Sequence, residues 1–332
     1  MKTYLSPILA FLFVLSFSAC SDKDDDNNNT NNPNELSISA KLAADANYSI
    51  LSEALDRTGL SGSLDSEGSF TLFAPNDAAF TAFINDEGYN DLDALIQAIG
   101  STELRAILTY HLINQDLAWG QFQSGYYRSM SQTNAKDSLS FYAAKSNVLK
   151  LNDRAEVVEA NMEASNGHIH GVNNVLVPLS IYGLLAVHPD YSSLEAAIGL
   201  ADGNLDSYLS DESETFTFFA PNNTAFDTLV ARSPNVSNLF EYVASLGTDE
   251  LAKVLLYHGT KNALVASELQ TGNVASLADD GAGGKLEFFV NIGAQVRLID
   301  NNSSTEDAVV TETDIVGSNG VLHLIDAVIL PN

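Results

Sequence analysis

The chain has 332 residues, and 45% of them are hydrophobic, which is enough to form the cores of two domains of ordinary size. It carries 43 acidic and 15 basic side chains, a formal charge of −28 at pH 7. Such a surface repels the phosphates of nucleic acids, and no basic cluster offsets it, so nucleic acid is excluded as a partner.

The first twenty residues have the pattern of an export signal. Lys2 precedes a short apolar run at 8–17, which is too short to span a bilayer. The only cysteine, Cys20, follows two small residues and resembles the lipobox of bacterial lipoproteins, in which the sulfur is lipidated and becomes the new N-terminus. We therefore expect residues 1–20 to be a lipoprotein signal peptide, with a lipid on Cys20 that anchors the protein in an outer membrane, facing the cell exterior. The alternative is an ordinary secreted protein with an incidental cysteine.

Residues 21–35 are rich in aspartate and asparagine. Because they can bury almost no apolar surface, they predict a disordered acidic tether. An acidic run directly after a lipidated cysteine also resembles the surface-export signal of some outer-membrane lipoproteins. A calcium-binding loop is excluded, since the run has no central glycine and no glutamate at the twelfth position counted from Asp22.

An eleven-residue segment occurs twice in the chain. It stands at 70–80 and returns at 216–226 with eight of eleven residues identical. The offset of 146 residues has the size of a whole domain, so we predict one fold used twice, over residues 36–178 and 179–332.

Each copy of the segment predicts a strand, a corner and an amphipathic helix. Alternating aromatic and small residues favour a strand, which Pro75 ends because it has no N–H to donate. Asn76 can then accept the free N–H groups of a following helix. Pro221 and Asn222 repeat the corner, and we interpret all four residues as structural.

The remaining elements follow the same order in both copies. In the first copy, helices are predicted at 41–58 and from Thr102 to Tyr110, and short strands at 148–151 and 155–158. In the second copy, helices are predicted at 181–187, 191–200 and from 248, and strands at 286–290 and 295–299. Helices that come early and strands that come late favour an α+β domain built on an antiparallel sheet.

Three motifs occur twice in the same order. They are the repeated segment, a Tyr-His pair at the end of a helix, and Asn-Gly-x-x-His before an apolar run that ends in proline. The residues of the later two motifs are Tyr110, His111 and His170 in the first copy and Tyr257, His258 and His323 in the second. Together the motifs resemble the fasciclin (FAS1) domain over residues 36–331. The resemblance implies tandem domains, each a β-sandwich or wedge flanked by helices, with roles in cell-surface adhesion and extracellular matrix binding.

Enzymatic chemistry has no clear sequence signature here. Gly-x-Ser-x-Gly is absent, and lipidation would consume the only cysteine. His168 and His170 would share one face of a strand and could grip a metal, but no nearby cysteine or carboxylate in the sequence completes a ligand set. We therefore predict no enzyme, no metal and no cofactor, and interpret the motif histidines as structural.

Two further groups are candidate binding sites. The resemblance to periostin-like animal members implies integrin binding through an Asp-Ile pair, which stands here as Asp314 and Ile315. The first copy has Asn161 and Met162 at these positions, so only the second copy could make such a contact. The alternative is that Asp314 caps a turn and Ile315 packs in the core.

The first copy alone contains an aromatic group after its Tyr-His pair. This group consists of Trp119, Phe122, Tyr126 and Tyr127, whereas the second copy has Ala266, Leu269, Asn273 and Val274. Exposed rings of this kind could form a stacking platform for sugars, and the alternative is packing in the core or at a domain interface.

These features predict a non-enzymatic surface lipoprotein that mediates cell–cell, matrix or biofilm contacts. Its partner would be an extracellular protein or a glycan. The alternative function is capture of glycans for a polysaccharide uptake system.

Overall fold

The computed structural model describes residues 36–133, 137–300, 302 and 306–332. The predicted signal peptide, Cys20 and the predicted tether lie outside the described residues. Within the described ranges, no helix is long and apolar enough to cross a membrane.

Both copies contain short helices on one side of a seven-stranded sheet. In the first copy the helices are α1 (Ile38–Ala43), α2 (Ser49–Arg57), α3 (Ser61–Leu64), α4 (Asp77–Asp86) and α5 (Leu92–Tyr110). Its strands are β1 (Phe70–Pro75), β2 (Leu112–Ile113), β3 (Gly125–Gln132), β4 (Ser138–Lys145), β5 (Leu149–Leu151), β6 (Ala155–Ala164) and β7 (Gly167–Val172).

The second copy repeats this order. Its helices are α6 (Ile181–Ala186), α7 (Ser192–Leu200), α8 (Leu205–Leu209), α9 (Asn223–Arg232), α10 (Leu239–Leu246) and α11 (Thr248–Tyr257). Its strands are β8 (Phe216–Pro221), β9 (Gly259–Lys261), β10 (Gly272–Asp279), β11 (Lys285–Ile292), β12 (Val296–Ile299), β13 (Ala308–Gly317) and β14 (Gly320–Ile325). The predicted α+β class and the twofold use of one fold are confirmed.

Each sheet is nearly closed, and each contains one parallel pair of strands. The strand orders are β2-β1-β7-β6-β5-β4-β3 and β10-β11-β12-β13-β14-β8-β9. Every neighbouring pair is antiparallel except β1 with β7 and β8 with β14. The prediction of an antiparallel sheet therefore holds for every pair of strands except the parallel pair in each copy. A parallel pair needs a long crossover, and here the crossover is almost the whole domain, which local sequence patterns do not detect.

The helices differ from the prediction at two places. The single helix expected at 41–58 is divided into α1 and α2, because the Asp45 carboxylate accepts the main-chain N–H of Asn47 at 2.9 Å and begins a new turn there. The helix expected from Thr102 is the second part of α5, which bends at Gly100 with a φ of 84°. The strands predicted at 148–151 and 155–158 are confirmed as β5 and as the start of the longer β6.

The corner after β1 caps two helices at once. The side-chain oxygen of Asn76 accepts the N–H of Ala79 at 2.9 Å and caps α4. The neighbouring Asp77 carboxylate accepts the N–H of Ile50 at 2.8 Å, near the start of α2. Asn222 and Asn223 do the same for α9 and α7 in the second copy. The corner therefore fixes the helical layer relative to the first strand.

The first strand of each copy is buried on both faces. In β1, Leu72 and Ala74 face the helices, whereas Phe73 faces the apolar space enclosed by the curved sheet. In β8, Phe218 and Phe219 divide in the same way between the two sides. Because successive side chains of a strand point to opposite faces, this strand contributes to two apolar cores and connects the helical layer with the sheet interior.

The Asn-Gly dipeptide joins the last strand to the helices. The Asn166 side-chain oxygen accepts the N–H of Ile38 at 2.9 Å, and its amide nitrogen donates to the Leu64 carbonyl at 2.6 Å. Gly167 follows with a φ of 147°, and a Cβ there would collide with the Phe70 main chain. Only glycine lets β7 approach β1 this closely at that conformation.

We expect Gly167→Ala to lower the free energy of unfolding by roughly 3 kcal/mol or more, because the new methyl group meets main-chain atoms that cannot move aside. The matched control is Gly199→Ala in α7, where a Cβ meets nothing within 4 Å and alanine favours the helix. Urea unfolding of both variants measures the difference. Equal stability of the two variants would contradict this account of the close strand approach.

Candidate functional site: the motif histidines and the domain interface

The Tyr-His histidines join the end of a helix to the C-terminal segment of each domain. The Nδ1–H of His111 donates to the Ile107 carbonyl at 2.8 Å, and its Nε2 accepts the N–H of Leu176 at 2.8 Å. His258 makes the same pair of bonds, and the tautomers are assigned from these partners. Burial in an apolar environment lowers the pKa of each imidazole to about 4, so both are neutral at pH 7.

The histidines of the Asn-Gly motif hold a loop against the sheet. The Nε2–H of His170 donates to the Leu117 carbonyl at 2.9 Å, and Nδ1 accepts the N–H of Asn161 at 3.2 Å. His323 repeats the arrangement with Leu264 and Asp314. Burial lowers the pKa of both imidazoles as well. All four motif histidines thus have main-chain partners on both ring nitrogens, and none has a free lone pair for proton transfer or for a metal.

His168 does have a carboxylate nearby, although that carboxylate is distant in sequence. Its Nδ1 lies 2.5 Å from Oδ1 of Asp116, 52 residues earlier, and its ring stacks on His170 with 6.3 Å between centroids. The sequence search missed this pair because the two residues lie on different segments that only the fold brings together. Since both nitrogens of His170 are engaged, the pair does not extend to a ligand set. No group of three metal-binding side chains is found among the described residues.

The Asp-Ile pair is half-buried at its aspartate and buried at its isoleucine. Ile315 is 2% exposed and packs in the core of the second copy. Oδ1 of Asp314 accepts the N–H of Ala266 at 2.6 Å, and Oδ2 lies 3.5 Å from the guanidinium of Arg128 in the first copy. Ile315 is therefore not exposed for the predicted adhesive contact, which stays a prediction. The structure supports the alternative, in which the aspartate caps a turn and the isoleucine packs.

The first copy shows that this turn belongs to the fold. Asn161 and Asp314 both adopt a left-handed conformation, with φ values of 60° and 63°. The side chain of Asn161 accepts the N–H of Trp119 at 2.7 Å, as that of Asp314 accepts the N–H of Ala266. Either a carboxylate or an amide oxygen suffices for the bond, so the aspartate is not needed for the turn.

The four aromatic residues of the first copy do not form one exposed surface. Phe122 is 2% exposed and lies in the core inside the sheet, where Tyr127 packs against it. Trp119 is half-buried, and the Lys145 ammonium lies over its ring. Tyr126 points to the second copy, where its hydroxyl donates to the Leu184 carbonyl at 2.8 Å. The four rings therefore lie in three different environments and share no single exposed face, and sugar binding at them stays a prediction.

Tyr126 belongs to a packed interface between the two copies. The imidazole of His188 lies between Tyr126, Tyr142 and Tyr191, with centroid distances of 5.3, 4.5 and 5.0 Å. Burial lowers the pKa of His188, which favours its neutral form in this position. The cluster takes two tyrosines from the first copy and one from the second, so it joins the domains through rings that pack against one another.

Two valines of the second copy complete the interface. Val316 and Val321 belong to the same apolar cluster as the residues inside the first sheet. The N–H of Val316 also donates to Oγ of Ser140 in the first copy at 3.0 Å. An apolar cluster shared between domains, with a buried hydrogen bond beside it, favours one body over two freely hinged domains.

Three of the interface residues differ between the two copies. The first copy has Glu163 and His168 at the positions of Val316 and Val321, and the second copy has Asn273 at the position of Tyr126. The aligned sequences of the two copies could have indicated this interface. An aromatic or apolar residue that occurs in just one copy is typical of a face that the other copy covers.

The chain thus consists of two α+β domains in tandem that share one fold. The same buried motifs stabilise each domain, and an asymmetric interface joins them. The Fasciclin domain family matches the chain at residues 46–178 and at residues 189–331, so the chain belongs to the fasciclin family. The resemblance predicted from the motifs is confirmed.

Relatives occur in animals and in bacteria. The chain is 25% identical over 281 residues to transforming growth factor-beta-induced protein ig-h3 of Sus scrofa and 27% identical to periostin of Homo sapiens. Each match covers 83% of this chain but only 37% and 30% of those proteins, so the chain spans about a third of their length. Protein sll1483 of Synechocystis is 32% identical over 143 residues, covering 43% of this chain and 74% of that protein.

The fold is also similar to that of a FAS1 domain pair from the insect cell adhesion molecule fasciclin I. The two structures have a TM-score of 0.47 and 18% sequence identity, and the match covers 84% of this chain and 92% of that chain.

We expect Tyr126→Ala to lower the free energy of unfolding by roughly 3 kcal/mol and to separate thermal unfolding into two transitions, since it removes a half-buried ring and a hydrogen bond from the interface. The matched control is Asn273→Ala, the equivalent position of the second copy, whose side chain is exposed. Differential scanning calorimetry measures both. A single, unshifted transition in Tyr126→Ala would contradict the role of this interface.

The buried histidines predict that stability falls with acid. An imidazole with a lowered pKa binds its proton more weakly in the folded state, so its contribution is complete above the unfolded value of about 6.5 and is lost as the pH falls toward 4. Between pH 7 and pH 5 we expect a loss of roughly 2 kcal/mol for each of His111 and His258. Urea unfolding at the two pH values measures this loss.

The His111→Gln variant isolates the effect. It should be less stable than the unmodified chain at pH 7 but lose less stability between pH 7 and pH 5, because one titrating group is gone. An identical loss in both proteins would show that His111 is not the group responsible.

Proposed function

We propose that this chain is a non-enzymatic adhesive protein of the cell surface, held on an outer membrane by a lipid on Cys20 and contacting an extracellular partner. The fasciclin family is associated with cell adhesion, and family membership is the observation that carries the proposal. The export pattern and the lone cysteine of residues 1–20 support the anchored location.

The chemistry of the motif residues supports binding over catalysis. In each copy the Tyr-His histidine and the Asn-Gly motif histidine hold main-chain groups with both nitrogens, as shown for His111 and His170. Their pKa values are lowered by burial, so at pH 7 they offer neither a charged acid nor an accessible base. The residues that define the family thus build the scaffold, and its exterior is left for contact with a partner.

An extracellular protein is the favoured partner. A glycan site usually presents an exposed aromatic face. The four aromatic residues of the first copy that were predicted to form one are divided between core, interface and a ring covered by Lys145. Capture of glycans for uptake is the alternative and is tested in the same experiment.

We expect bacteria that express the full chain to attach to surfaces coated with extracellular proteins more strongly than bacteria without it. The Cys20→Ser variant should still be exported but should lose attachment, because the protein is no longer held on the cell. Attachment is counted after washing, and immunoblots of cells and medium locate the protein.

The choice of coating separates the alternatives. Attachment to polysaccharide but not to protein would favour glycan capture, and no gain on any coating would count against adhesion. As a matched control, Asp314→Asn keeps the oxygen that caps the Ala266 turn and should attach like the unmodified chain.

A further inference from the structure

The histidine of the domain interface also begins a turn. His188 caps the short 3₁₀ turn Pro189–Tyr191, where its Nδ1 accepts the N–H of Asp190 at 3.2 Å. The first copy builds the same turn with the carboxylate of Asp45, which accepts the N–H of Asn47 at 2.9 Å. The turn therefore needs a hydrogen-bond acceptor at its first position, but it does not need a histidine there.

The two acceptors respond differently to acid. A carboxylate remains an acceptor until the pH falls to its pKa of about 4. An imidazole nitrogen accepts a hydrogen bond only while it carries no proton, and histidine gains its second proton near neutral pH. Protonation of His188 at Nδ1 replaces the lone pair with a donor that faces the N–H of Asp190, so the turn loses its cap.

The ring of His188 also forms part of the contact between the domains. It packs against Tyr126 and Tyr142 of the first domain, with centroid distances of 5.3 and 4.5 Å, and against Tyr191 of its own turn at 5.0 Å. Tyr126 is held in this position by its bond to the Leu184 carbonyl in α6. One side chain therefore serves both the turn and the interface, and a charge on it affects both.

The groups next to the ring decide the sign of its response. Burial lowers the pKa of His188, and the Asp190 carboxylate opposes burial with a smaller effect. The closed interface therefore favours the neutral ring, and protonation favours separation of the domains. The contribution of His188 to the interface is complete above the ordinary histidine pKa of about 6.5 and is lost as the pH falls below that value.

The other titratable groups of the interface behave differently. Burial raises the pKa of the three phenols of the cluster, so they stay neutral in acid. Partial burial also raises the pKa of Glu312 on β13, so its protonation favours the closed interface and opposes that of His188. Arg128 on β3 lies 3.5 Å from Asp314 and stays charged. The imidazole is thus the group in this cluster whose protonation favours separation.

We infer that the interface is a proton-sensitive contact, closed at neutral pH and loosened in acid by protonation of His188, while each domain stays folded. A single proton changes the ratio of separated to closed interfaces by at most tenfold per pH unit. The inference does not depend on the proposed function, because it concerns how the two domains are coupled and not what they bind.

Hydrogen exchange of one amide measures the separation. The N–H of Val316 donates to Oγ of Ser140 in the other domain at 3.0 Å, so it is released when the interface separates. The chain without its predicted signal peptide, residues 21–332, is followed by NMR at pH 7 and pH 5.5. Rates are expressed as protection factors, which remove the intrinsic pH dependence of exchange. The factor for Val316 should fall roughly three- to eightfold at the lower pH.

Two variants remove the titrating group in different ways. His188→Phe keeps a ring among the tyrosines, so the protection factor of Val316 should change less than twofold with pH. His188→Asp restores the cap of the first copy but not the ring, so the factor should be lower at both pH values and again nearly constant. The matched control is His168→Val, which removes a histidine whose partners, Asp116 and His170, lie in the first domain, and it should retain the full fall.

Three results would overturn the inference. The first is a fall in His188→Phe as large as in the unmodified chain. The second is equal protection of Val316 and of the Phe73 N–H, which bonds to the His111 carbonyl inside the first domain, because the interface would then open only when a domain unfolds. The third is loss of the fall in Glu312→Gln, which would assign the effect to the carboxyl. We expect Glu312→Gln to keep or enlarge the fall.

Discussion

The fold depends on one parallel pairing in each domain, between the first strand and the last. β1 and β7 register from Phe70 opposite Gly167 to Pro75 opposite Val172, and the second copy repeats the register. The family motifs surround this pairing. The glycine permits the close approach, the asparagine ties the last strand to the helices, and the histidines bond the loops beside it. A pairing closed by almost a whole domain loses much chain entropy, and these buried main-chain bonds offset part of that loss.

The contact between the two domains is asymmetric. Two copies of one fold normally have the same outer surfaces, but here Tyr126, Val316 and Val321 occur only on the sides that meet. The equivalent positions of the other copy hold Asn273, Glu163 and His168. The contact between the copies therefore uses side chains that are particular to each copy.

Sequence patterns predicted the helices, strands and turns that neighbouring residues determine. Proline and asparagine placed the corner after β1, and alternation placed β5, β11 and β12. They failed where a side-chain hydrogen bond, a distant partner or burial decides. The helix at 41–58 was divided by Asp45, the partner of His168 was found 52 residues away at Asp116, and the buried side chain of Phe122 could not be distinguished from an exposed aromatic residue. Composition shows that a ring is apolar but not which surface covers it.

The sequence by itself determined that one domain occurs twice, that it belongs to the α+β class, and which residues recur because the scaffold needs them. Repetition makes these properties visible without coordinates. Only the tertiary structure decided the parallel pairing, the use of Asp314 inside the protein, and the union of the two copies through residues that are not repeated. The physical reason is that hydrogen-bond partners and burial depend on what the folded chain brings together, and most of those contacts lie dozens of residues or a whole domain apart.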